Sequence, residues 1–147
     1  MTNEDLIKKR FEFLEHTADA KFRAYGRNLS EAFSNSVLAL MQIITDVDKV
    51  VGEKRKRIEI EAKNEKALLY DFLEELVYLM DTEGFIVSKI EKLHVNERGF
   101  KWTLVATLYG DSADNYDIRT QVKAITYNDM LIAREPDFVV IQVVPDL

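Results

Sequence analysis

Residues 65–109 read EKALLYDFLEELVYLMDTEGFIVSKIEKLHVNERGFKWTLVATLY, and the spacing of their apolar residues decides the fold class. In the first part, Leu69, Phe72, Leu73, Leu76 and Met80 recur at helical spacing and predict an amphipathic helix over 65–80. Leu68, Val77 and Leu79 widen that stripe, so the helix is expected to be buried on two sides. Asn64 stands just before it, where an amide oxygen accepts an orphan N–H of the first turn. In the last part the period falls to two. Phe100, Trp102, Leu104, Ala106 and Leu108 alternate with Lys101, Thr103, Val105, Thr107 and Tyr109, which is strand patterning. Asn96-Glu97-Arg98-Gly99 is turn chemistry, so 90–95 and 100–109 are expected to pair as a hairpin.

The rest of the chain extends this pattern. Phe33, Val37, Leu40, Met41 and Ile44 line one face of a second helix over 29–45, opened by Asn28 with Glu31 as a capping box. Ala20, Phe22 and Ala24 alternate with Lys21, Arg23 and Tyr25, and Ile58, Ile60 and Ala62 alternate with Glu59 and Glu61. Further strands are expected at 11–14, 84–88, 119–126, 129–134 and 138–144. Short connections favour antiparallel pairing. The expected fold is α+β, two helices packed on a largely antiparallel β-sheet, as a single domain over 1–147.

Composition narrows the chemistry. The 147 residues carry 20 Lys and Arg against 26 Asp and Glu, a net charge of −6. Such acidity argues against broad nucleic-acid binding, which depends on Lys and Arg neutralising phosphates. With no Cys and only His16 and His94, disulfides, zinc ribbons and iron–sulfur sites are excluded, while a hard cation held by oxygens stays open. The N-terminus has no apolar signal core, and the longest apolar runs are far short of the roughly 20 residues of a membrane span. A soluble, cytoplasmic protein is expected. The basic run Lys54-Arg55-Lys56-Arg57 reads as a solvated turn leading into a strand, or as a local contact with RNA or an acidic partner.

Three stretches offer chemistry. Glu15-His16-Thr17-Ala18-Asp19 lies between two strand-like runs and concentrates oxygens around Asp19. From the residues alone it reads first as a turn in which His16 bonds a carbonyl and Asp19 is a cap. Val143-Val144-Pro145-Asp146-Leu147 sets the Asp146 carboxylate beside the α-carboxylate of Leu147, a pair able to chelate a divalent ion, or else a frayed tail. Val122-Lys123-Ala124-Ile125-Thr126-Tyr127 points Lys123 to the strand face opposite Val122 and Ala124, toward an anion, a partner or solvent. Gly110–Tyr116 reads as a solvated surface loop whose Asp111 and Asp114 lack the rest of an EF-hand. No Ser-His-Asp set, Walker motif or Gly-rich phosphate loop is present.

Taken together and in order, these segments resemble the archease family. FEFLEHTADAKFRAYG is similar to that family's His-Thr-Ala-Asp opening, NLSEAFSNSVLALMQIITD to its first helix and ALLYDFLEELVYLMDTEGFI to its second helix and following strand. VKAITYNDMLI is similar to its VKAxTYH strand pair, and the terminal PDL to its usual Asp-Ile ending. The resemblance implies a small α+β accessory protein, not itself an enzyme. It would activate the RtcB-type tRNA-splicing RNA ligase, promoting guanylylation and multiple turnover. It also implies a divalent-cation site, with Ca²⁺ the expected ion, whose ligands by position are Asp19, Asp146 and Leu147. An alternative role in the family is a chaperone-like modulator of a tRNA methyltransferase or other RNA-modifying enzyme. A stand-alone metal-dependent hydrolase on the same carboxylates is a third reading of the residues. Asp46 also matches a family acid without an assigned role. Two departures stand out: Asn128 replaces the family His, and Leu147 replaces the usual Ile.

Overall fold

The second of the expected helices is the longer. It runs over Glu65–Glu83 and, in chain order, is α3 of the computed structural model, which describes residues 1–15 and 20–147. The Asn64 side chain accepts the Ala67 N–H at 2.8 Å, and Gly84 ends the helix with φ 62°, a left-handed conformation that suits glycine. Leu68, Leu69, Phe72 and Leu73 are fully buried, as the widened stripe requires. The other expected helix is α2, Leu29–Ile44. Asn28 accepts the Glu31 N–H at 2.9 Å, but the Glu31 carboxylate reaches back to the Arg27 N–H at 3.3 Å, so only the Asn half of the capping box forms. The Phe33 and Phe72 rings stack with centroids 6.1 Å apart and join the two helices in the core.

A short additional helix, α1 (Asn3–Lys9), precedes them. Thr2 and Asp5 form a complete capping box there, and Ile7 packs on Tyr25 and Phe138. Its seven residues are too few for an apolar period to show in the sequence.

Among the described residues every strand pair is antiparallel, and the α+β class is as expected. Among the described residues the strands divide into three sheets. The first contains β1 (Phe11–Leu14), β2 (Lys21–Gly26), β7 (Leu131–Glu135) and β8 (Phe138–Val143), in the order β1-β2-β8-β7. The second contains β3 (Lys54–Ala62), β4 (Phe85–Arg98) and β5 (Lys101–Ser112), in the order β3-β5-β4. The third is a two-residue ladder of β6 (Ala124–Ile125) with β9 (Pro145–Asp146). Helix α2 packs on β2, β8 and β4, while α3 packs on β3, β4 and β5, and one continuous core joins these layers.

Three expectations need correction. Lys54–Arg57 is not a turn: it is the first half of β3, an edge strand, where charge discourages pairing with another chain. Lys56 binds Glu83 at 2.6 Å, and Arg57 pairs with Glu59. Residues 119–126 form a strand only at Ala124–Ile125, and Arg119 serves the end of α2 instead of a neighbouring strand. Its N–H donates to the Ile44 carbonyl at 2.7 Å, and its guanidinium donates to the carbonyls of Gln42 and Thr45. Asp111 is buried within β5, not solvated in a loop. Its carboxylate accepts the Tyr116 hydroxyl at 2.7 Å and the Ser112 N–H at 2.8 Å, and these bonds hold its pKa below the usual carboxylate range.

Candidate functional site

The last strands bring the chain end into the fold. Leaving β8 at Val143, the chain passes Val144 and forms β9 against β6. Two bonds hold it there, and a third ties β6 to α3. The Lys123 N–H donates to the Asp146 carbonyl at 2.8 Å. The Thr126 hydroxyl donates to the Val144 carbonyl at 2.7 Å, and the Glu74 carboxylate on α3 accepts the Ile125 N–H. Val144 and Pro145 are buried, and Leu147 packs half-buried against the main core. The final residues are therefore docked, not frayed, and Asp146 is left exposed.

The start of β2 comes to the same place. Phe22 is registered opposite Val143, the last pair of the β2–β8 ladder. Leu14 is registered opposite Lys21, so β1 ends and β2 begins at the edge where β8 runs out. Lys21 also forms an ion pair with Asp129 at 3.5 Å, which ties β2 to the segment between β6 and β7. Of the expected ligands, Asp146 and Leu147 are thus placed. Asp19, with His16 and Thr17, lies outside the described residues. Among the described residues no group of three His, Cys, Asp or Glu side chains is arranged to hold a metal. Asp146 and Leu147 themselves offer oxygen donors only, a donor set suited to a hard cation and poor for zinc or copper.

The other singled-out groups have local structural work. The Lys123 side chain is exposed, while its backbone holds Asp146. Asp46 caps a 3₁₀ turn by accepting the Asp48 N–H at 3.3 Å. Asn128 is exposed, and its N–H donates to the Thr126 hydroxyl at 3.2 Å. His94 lies on the exposed side of β4, opposite Val105.

One pair escaped the sequence reading. Tyr70 on α3 and Tyr127, two residues past β6, stack with centroids 4.3 Å apart and planes 9° apart. The only sequence signal was an aromatic residue set just beyond a short strand.

Comparison with known proteins is consistent with this geometry. Residues 11–147 match the profile of the Archease protein family. The chain is 41% identical over 143 residues to the archease of Pyrococcus abyssi, with 95% of this chain and 99% of that one covered. It is 37% identical over 140 residues to the archease of Methanothermobacter thermautotrophicus, with coverage of 95% and 99%. The solution structure of Methanobacterium thermoautotrophicum protein 1598 superposes with a TM-score of 0.80 at 35% identity, covering 95% and 99% of the two chains. The crystal structure of a Thermotoga maritima archease, described as a possible chaperone, superposes with a TM-score of 0.53 at 19% identity, covering 91% and 94%; that likeness concerns the fold alone.

Proposed function

The chain belongs to the archease family, and from that premise we propose that it is a cytoplasmic, non-catalytic, cation-binding activator of the RtcB-type tRNA-splicing RNA ligase. Asp19, the Asp146 carboxylate and the carboxylate at Leu147 hold one divalent ion, with Ca²⁺ the expected occupant. Three negative charges in a small volume repel one another, and an ion offsets most of that repulsion while tying the chain end to the β1–β2 connection. Binding to the folded state alone adds about 2.7 kcal/mol of stability at a hundredfold excess over Kd. The ion-bearing end is presented to the ligase, where it favours guanylylation and repeated turnover.

The observation that supports this reading most is the docking of Asp146 on β6, which orders the last residues against the fold. A ligation time course with sub-stoichiometric ligase tests it. The protein is expected to convert a single turnover into many, and Asp19→Ala and Asp146→Ala are expected to abolish the effect while leaving the fold intact. Full stimulation by both variants contradicts the reading. Co-purification separates it from the alternative role, since a methyltransferase partner with no change in ligation favours the chaperone-like modulator.

A further inference from the structure

Tyr127 is 54% exposed, although Tyr70 covers one face of its ring. It borders an open hollow of about 540 Å³ lined also by Lys63, Asn64, Glu65, Lys66 and Ala67. Tyr70 is half-buried and packs on the core, so the stacked pair forms a firm aromatic shelf. The charges around the hollow are unevenly matched. Glu65 is taken up by Arg134, and the nearby Glu61 by Lys101. Among the described residues neither Lys63 nor Lys66 is in an ion pair, and both are exposed. Burial, then the charge of Asp71, raises the Tyr127 pKa.

A flat aromatic face beside two uncompensated ammonium groups matches a flat base carrying phosphates on one side. We propose that the free face of Tyr127, with Lys63 and Lys66 at its rim, stacks one base of single-stranded RNA while the lysines contact the flanking phosphates. The contact is local, in keeping with a chain whose net charge is −6. It deepens the proposed function and rests on it only for the choice of RNA as the polymer. Tyr127 follows directly on Thr126, whose hydroxyl holds the Val144 carbonyl, so the shelf adjoins the docked chain end.

The test titrates the protein, with no ligase present, into a ten-nucleotide single-stranded RNA carrying 2-aminopurine. Saturable quenching of the base is expected. Tyr127→Phe keeps the stacking face and is expected to bind like the parent. Tyr127→Leu is expected to weaken binding by about fivefold to a hundredfold, the range for one lost base stack. Lys63→Gln and Lys66→Gln are each expected to reduce the slope of log affinity against log salt by about 0.7. Absence of saturable quenching, undiminished binding by Tyr127→Leu, or an unchanged salt slope in both lysine variants overturns the proposal. If Tyr127→Leu impairs ligase stimulation while the parent takes up no RNA, the shelf is a protein contact and the proposal fails. Ligase stimulation without RNA uptake overturns the shelf alone and leaves the ligase reading standing.

Discussion

The Lys123 N–H donates to the carbonyl of Asp146 at 2.8 Å, so the penultimate residue is held by a segment more than twenty positions earlier in the chain. This bond, the β6–β9 ladder around it and the Phe22–Val143 register fix the position of the chain end. A carboxylate on a free tail would pay the full ordering entropy to join a cation, whereas one on a docked strand has already been ordered by folding.

Thr126→Val removes the hydroxyl that bonds the Val144 carbonyl and leaves the side-chain shape nearly unchanged. Val144 is buried, so its carbonyl has little access to water. We expect a loss of about 1–2 kcal/mol. Thermal unfolding should show a midpoint lower by roughly 2–8 °C. If the midpoint is unchanged, the bond does not hold the chain end.

Phe72→Ala removes a fully buried ring stacked on Phe33 between the helices. A cost of about 3–5 kcal/mol is expected from lost burial and the residual cavity. Denaturant titration should show a lower midpoint with little change in slope. A cost under about 1 kcal/mol would mean that the two helices do not share this core.

Gly110→Ala tests the β4–β5 ladder. A Cβ at this position would lie 1.9 Å from the Ile86 carbonyl oxygen, which is backbone and cannot rotate away. Relief requires the strands to part near the Val87–Gly110 pair. The expected cost is about 1–3 kcal/mol or more, read from thermal unfolding. Parental stability would contradict the close approach.

The Asp111 carboxyl is held below its ordinary pKa first by the Tyr116 hydroxyl and next by the Ser112 N–H. A depressed carboxyl stabilises the fold above its unfolded pKa of about 3.9, and that stability is lost as pH falls through the lower folded value. In Tyr116→Phe the main cause is absent. The variant is expected to be less stable than the parent at neutral pH, and the gap should narrow on acidification below about pH 4. A gap independent of pH would show that Tyr116 acts only through the bond it accepts from the Val51 N–H at 2.8 Å.

Both long helices were legible because each buries a wide stripe, and that stripe is written at a fixed period in Phe33–Ile44 and Leu68–Met80. The β4–β5 hairpin was legible from alternation, although β4 carries two register irregularities, and the turn falls at Gly99–Phe100. Phe100 read as an inward strand residue, but at the hairpin tip it is 96% exposed. Patterning failed where one side chain decides the structure. Arg119 satisfies carbonyls of α2 from a distant stretch, and Asp111 is buried because Tyr116 folds back onto it. Neither relationship has a period. At the chain end the docking was legible from the apolar strand that leads into Asp146 and Leu147, whereas Asp19 was named as their companion by family resemblance alone and lies outside the described residues. The Tyr70–Tyr127 stack was not legible because the two residues are more than fifty positions apart and no period relates them.

Calorimetric titration of Ca²⁺ into chelator-stripped protein, for the parent, Asp19→Ala and Asp146→Ala, tests the central claim most directly. The account predicts uptake at a single site by the parent, none or far weaker uptake by either variant, and a higher unfolding temperature of the parent alone when the ion is added. A parent that takes up no divalent ion, or variants that bind as tightly as the parent, would contradict it.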